Sequence, residues 1–131
     1  MIFDIFYVDG IFHTRLKSEP DPLSLESYYK SLTSHSEWSI FSKVLSDETA
    51  IDYGLIKFAD MMEFVTIGIS FKNKIKKSSF AIYVNSNLNF GMARVWKAFI
   101  DTEWDANVGV FRSYENARSW LKKYKYFTQM Q

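Results

Sequence analysis

From residue 40 onward, short apolar runs alternate with longer segments whose apolar residues recur at helical spacing. That alternation leaves few architectures open. Residues 40–46 (IFSKVLS), 79–84 (SFAIYV) and 107–111 (NVGVF) have the length and composition of strands. Three helical stripes follow them in turn. The first is Leu55, Phe58, Met62, Val65 and Ile69 across 54–71. The second is Met92, Val95, Trp96 and Phe99, and the third is Ala117, Trp120, Leu121 and Tyr124. A strand that returns parallel to its neighbour needs a crossover of a dozen or more residues, and helices of this length supply one. Asn85-Ser86-Asn87 and Ser113 stand where the second and third helices begin, as turn and cap residues.

The first third of the chain extends the pattern. Residues 1–8 are rich in β-formers, and Asp9-Gly10 is a two-residue hairpin pair. Residues 11–17 alternate, with Phe12, Thr14 and Leu16 against His13, Arg15 and Lys17. Asp21 is placed to cap a helix with Pro22 in its first turn. Leu25, Tyr28, Tyr29 and Leu32 form its apolar stripe, and it ends near His35. The order is ββαβαβαβα. It predicts an α/β domain over 1–131, with a mixed, mostly parallel sheet of about five strands and about four helices.

Composition narrows the chemistry. The 131 residues include no Cys, which removes disulfides, thiolate metal sites and a cysteine nucleophile. The two His, at 13 and 35, do not complete a three-His zinc site. His13 alternates with Arg15 and Lys17 and is expected in solvent. No phosphate-binding glycine loop and no Ser-His-Asp pattern stands out, so neither an enzyme nor a cofactor is expected. No apolar run has the length of a membrane span. The segment MIFDIFYVDG lacks the basic start of a signal peptide, so a cytoplasmic protein is expected.

Three segments resemble a known family. Residues 80–96 contain Gly91, Ala93, Arg94 and Trp96 after a strand and a polar turn. Residues 108–121 contain Val110, Phe111 and Arg112, then Ala117, Trp120 and Leu121. Residues 43–47 read KVLSD. Together with the element order they resemble STAS domains, and locally the SpoIIAA-like family of small bacterial STAS relatives. The resemblance implies a non-enzymatic regulatory module. It also implies that helix 54–71 and the last helix share one side of the sheet. Phosphorylatable STAS antagonists carry a serine in the turn after the third strand. Here that turn reads Ile51-Asp52-Tyr53-Gly54-Leu55, so the phosphoswitch serine is not evident. Ser46 and Thr49 lie nearby and read as loop and capping hydroxyls.

In an open α/β sheet, ligands bind beyond the carboxyl ends of the strands. The loops expected there offer Ser46, Asp47, Thr49, Asp52, Tyr53, Asn85, Ser86, Asn87 and Arg112 to a polar ligand or partner. Asp47, Glu48 and Asp52 read together as a solvated acidic loop. Ile56, Met61, Phe64 and Ile67 lie outside the main stripe of helix 54–71 and are candidates for an exposed apolar contact. Lys72, Lys74, Lys76 and Lys77, with Phe71 and Ile75, are candidates for contact with an anionic surface. Arg118, Lys122, Lys123 and Lys125 form a second basic cluster. Most aromatics fall on buried stripes; Trp38 and Trp104 do not, and are candidates for exposed contacts.

Residues 1–71 carry 11 acids and 5 bases, whereas residues 72–131 carry 4 acids and 11 bases. With the acidic and basic helices on one side, these charges favour internal pairing or a homodimer and disfavour a nucleic-acid groove. The leading expectation is a module acting through a protein partner or a small apolar or anionic ligand. The alternatives are an enzyme or metal-dependent activity at the strand ends, and peripheral association with an anionic membrane.

Overall fold

The computed structural model of the protein describes residues 1–123. Strands β1 (Phe3–Val8) and β2 (Ile11–Leu16) form an antiparallel hairpin. Its turn uses Asp9 at φ 52° and Gly10 at φ 77°, the left-handed pair that matches strand twist. β3 (Lys43–Asp47), β4 (Ser79–Tyr83) and β5 (Asn107–Phe111) follow, each parallel to the strand before it. The sheet order is β1-β2-β3-β4-β5. The helices are α1 (Pro22–Thr33), α2 (Phe58–Ser70), the single turn α3 (Lys72–Ile75), α4 (Asn87–Trp104) and α5 (Tyr114–Lys123). The mixed, mostly parallel five-strand sheet matches the order expected from the sequence. None of the helices among the described residues is long and apolar enough to cross a membrane.

The sheet order decides which face each helix covers. Every parallel step, β2 to β3 to β4 to β5, moves in the same direction. Right-handed crossovers moving one way all lie on one face. Accordingly α1, α2 and α4 pack on the face that carries Phe12, Val44, Phe80 and Val108. Only α5 covers the other face, where Ala117 and Leu121 meet Ile11, Leu45 and Ala81. Helix α2 and the last helix are therefore on opposite sides of the sheet, contrary to the arrangement that the resemblance implies. Asp60 and Glu63 on α2 do not adjoin the basic residues of α5, so the self-complementary surface argued from their adjacency has no basis here.

Local chemistry sets the element ends. Asp21 caps α1: its side chain accepts from Ser24 N at 2.9 Å, and Ser24 Oγ accepts from Asp21 N at 3.1 Å. β3 begins at Lys43 rather than residue 40, because Ser39–Ser42 close a turn. Ser42 N donates to Ser39 O, and Ser39 N donates to Ser42 Oγ at 2.8 Å.

The helix expected over 54–71 begins at Phe58. Asp52 caps a separate 3-10 turn, Tyr53–Leu55, and Ile56 and Lys57 are extended. Its buried face is Met61, Phe64, Val65 and Gly68. Leu55 and Phe58, expected in the core, are 67% and 69% exposed. Met61 and Phe64, expected as outward contacts, are core residues, while Ile56 and Ile67 are half-buried against that core. The contact with α4 sets this rotation. A Cβ on Gly68 would lie 3.1 Å from Ile100 Cδ1, and Trp104 Nε1 donates to Gly68 O at 2.8 Å.

Helix α4 is rotated too. It buries Asn89, Ala93, Ile100 and Trp104, leaving Val95 and Phe99 exposed. Trp104, expected in solvent, is fully buried. Trp38 is half-buried, with its Nε1 donating to Lys74 O at 3.0 Å.

Candidate functional site

The functional loops are built from the end of β3. Val44 and Ser46 point into the main core, and the two-residue period carries on past the strand to Glu48. The backbone supports this: Glu48 N donates to Tyr83 O at 2.9 Å, one step beyond the β3–β4 ladder. Glu48 is therefore buried, not part of a solvated acidic loop. Ser46 Oγ donates to Glu48 Oε2 at 2.8 Å, and the Tyr53 hydroxyl donates to Glu48 Oε1. Nearby, the Thr14 and Tyr28 hydroxyls share a 2.9 Å hydrogen bond. A polar seam thus crosses an otherwise apolar core.

Burial pushes the Glu48 carboxyl above its ordinary range. The hydrogen bonds from Tyr53 and Ser46 oppose that rise, and the Asp47 charge adds to it. Burial also raises the Tyr28, Tyr29 and Tyr53 phenols. Tyr29 is only 4% exposed. Among the described residues, no buried side-chain nitrogen or oxygen lacks a hydrogen-bond partner.

These groups surround a cavity of about 70 Å³ between the sheet and helices α1, α2 and α4. Leu16, Tyr29, Glu48, Phe64, Ile82 and Trp96 lie on its walls. An engineered apolar cavity of about 150 Å³ takes up benzene, so this one has room for roughly three non-hydrogen atoms before its walls move. Chemically it offers apolar contact, one carboxyl and the Tyr28, Tyr29 and Tyr53 phenols.

The expected strand-end loops do meet at one end of the sheet. Asn89 joins two of them: its Oδ1 accepts from Tyr53 N at 3.0 Å and its Nδ2 donates to Ile51 O at 2.7 Å. Arg112 Nη1 donates to Asn87 Oδ1, bringing in the third loop. Of the residues singled out from sequence, Ser46 and Tyr53 from the loops and Ile56, Met61 and Phe64 from the apolar candidates reach the cavity. The others are placed outside it. Asp47 accepts from the Thr49 backbone and hydroxyl at 3.0 and 2.7 Å and faces Arg15 at 3.6 Å. Asp52 accepts from Gly54 N at 2.9 Å. Ser86 caps α4 by accepting from Asn89 N at 3.1 Å, and Asn85 is exposed.

Glu48 and Asn89 are the residues that sequence reasoning missed. The alternation Val44, Ser46, Glu48 is a signal that pointed to the first. Asn89 lies in the first turn of a helix and carries no such signal.

Lys72, Lys74, Lys76 and Lys77 are exposed. Their expected apolar companions are not: Ile75 is fully buried, and the Phe71 ring packs 5.3 Å from Tyr29. The single-turn helix α3 makes this segment part of the core rather than a connector. His13 is not in open solvent either. It is half-buried beneath α5, where burial and the Arg118 charge lower its pKa against the opposing effect of Asp9. Tyr124 and Lys125, assigned to the last helix and its basic cluster, lie outside the described residues.

No protein-family model matches the chain, and no curated protein matches it. Among solved structures, the chain is similar to an uncharacterised protein of the DUF3478 family from Shewanella loihica PV-4, described as having a SpoIIAA-like fold. The superposition has a TM-score of 0.58 at 17% identity and covers 92% of each chain. The fold of the chain is SpoIIAA-like.

Proposed function

We propose that this protein is a non-enzymatic binding module whose SpoIIAA-like scaffold holds a small, largely apolar ligand in the Glu48 cavity. One observation carries the reading: an apolar cavity with a buried carboxyl on its wall. A well-packed core leaves few voids larger than a water molecule, and its buried polar groups are paired. A small ligand with one hydrogen-bonding group answers the departure in packing. It fills the void, and it gives the Glu48 carboxyl a further partner. A bare anion fits poorly, because burial already disfavours negative charge at Glu48. This favours the apolar alternative over the anionic one at this cavity.

Native mass spectrometry of the full chain tests the reading directly, since a retained ligand adds its mass. Titration with 1-propanol supplies a defined probe, read by tryptophan fluorescence because Trp96 and Trp104 line the cavity. A saturable change that is lost in Ile82→Phe, which fills the cavity, is the expected result. No saturable change in the native protein, or an equal change in a folded Ile82→Phe, refutes it.

The raised pKa of Glu48 favours a second reading, in which the carboxyl exchanges a proton with an occupant. Solvent-deuterium incorporation into a bound ligand, lost in Glu48→Gln, separates this enzymatic reading from simple binding.

A further inference from the structure

The second face of the sheet carries a different site. Helix α5 packs over β3, β4 and β5 and leaves the hairpin end of that face uncovered. Between the helix and the hairpin lies a cleft of about 430 Å³. That is within the size range of small-molecule sites. His13 from β2 and Lys43 from β3 form its floor, and Tyr114, Arg118 and Lys122 from α5 form one wall. The three helical residues are spaced four apart, which lines them up along one face of α5. Asp9 in the hairpin turn is the acid at the rim, and Val8 and Ile11 add apolar surface.

The helical wall of this cleft carries two adjoining positive charges. Arg118 and Lys122 are like charges at i and i+4, a spacing that destabilises a helix. Neither forms an ion pair among the described residues. Asp9 is the acid that lines the cleft among the described residues. The half-buried His13 imidazole is held toward its neutral form in the same field.

We infer that this cleft binds a phosphomonoester. A dianion would relieve the repulsion between Arg118 and Lys122, and a guanidinium pairs with phosphate through two parallel hydrogen bonds. A phosphate group alone would leave much of the cleft empty. Tyr114 and Ile11 offer surface to the organic part of the ligand. The site is independent of the Glu48 cavity, which lies across the sheet.

The test is a titration of the full chain with phenyl phosphate, followed by the NMR resonances of the His13 imidazole. Saturable shifts are expected, together with a rise in the His13 pKa, because the bound dianion offsets the Arg118 charge. Affinity should fall with added salt. Arg118→Gln and Lys122→Gln should each weaken binding by about tenfold or more, the loss of one charge-assisted hydrogen bond. Lys74→Gln, on the other side of the sheet, should leave it unchanged.

A parallel arm uses vesicles containing phosphatidic acid. Arg118-dependent binding in the soluble arm assigns the site to a free phosphomonoester, and in the vesicle arm alone to a lipid headgroup. Absence of saturable binding in both arms overturns the inference. So does binding that Arg118→Gln and Lys122→Gln leave intact while both variants remain folded.

Discussion

Replacing Glu48 by Gln should make the protein less sensitive to rising pH, and the sign follows from the burial of the carboxyl. In the unfolded chain Glu48 titrates near its ordinary value of 4.5, and in the fold its pKa is higher. Below 4.5 both states hold the proton, and Glu48 contributes no pH dependence. Between the two values the folded state holds the proton and the unfolded state has released it. Stability therefore falls as pH rises, with a limiting slope of about 1.4 kcal/mol per pH unit for one proton. Above the folded pKa the slope returns to zero and the accumulated loss remains.

Gln has the same shape and no titration. Its amide can still exchange hydrogen bonds with the Ser46 and Tyr53 hydroxyls. Urea unfolding of both proteins across acid to mildly alkaline pH gives the difference in stability at each pH. That difference isolates Glu48, because Asp21 and His13, whose pKa values are both lowered in the fold, titrate in both proteins. The native protein should lose ground to Glu48→Gln progressively above pH 4.5 and then level off. A flat difference, or one in which the native protein gains with pH, refutes the reasoning. It would mean that the hydrogen bonds from Tyr53 and Ser46 outweigh the cost of burying the charge.

Other substitutions test the packing that frames the cavity. Gly91 is exposed within α4, and a Cβ there would meet nothing within 4 Å, so Gly91→Ala should raise stability by about 0.5–1 kcal/mol in thermal unfolding. Asn89→Ala leaves Tyr53 N and Ile51 O without their partner and should cost roughly 2–5 kcal/mol in urea unfolding. Faster amide exchange at Tyr53 should accompany that loss. Trp104→Phe keeps a ring in the core but removes the donor to Gly68 O, at a cost of about 1–3 kcal/mol by the same measurement.

The element order was readable because each segment carried its own signal. The Asp9-Gly10 turn, the alternation of 11–17 and the Asp21-Pro22 helix start are all local, and all three stand in the structure. What sequence reasoning missed is rotational. In α2 and α4 so many residues are apolar that several stripes fit the same helical period. Choosing Leu55 and Phe58 over Met61 and Phe64 was then a choice between two faces of similar apolarity. The tie is broken by tertiary contact: Gly68 admits the edge of Trp104, and no local pattern announces that pairing.

The candidate site fared likewise. Ser46 and Tyr53 were singled out for their place in the chain, and they do reach the cavity. Glu48 was grouped with Asp47 and Asp52 because three acids in one loop suggest solvent. Its burial depends on continuing the strand period one step beyond the strand. The side on which the last helix packs was set by sheet order, which local patterns do not reveal.

The consecutive order of the strands also has a bearing on how the chain acquires its fold. Each strand lies beside the one immediately before it in sequence, so its partner already exists when it leaves the ribosome. The hairpin offers an edge to β3, β3 offers one to β4, and β4 offers one to β5. No strand waits for a later one to be inserted between neighbours. The separations to be closed are those of single crossovers, the contact pattern associated with faster folding among α/β domains. The face beneath α5 is the exception. It stays open to solvent through the whole of this growth, and its apolar residues Leu45 and Ala81 are covered only when α5 arrives.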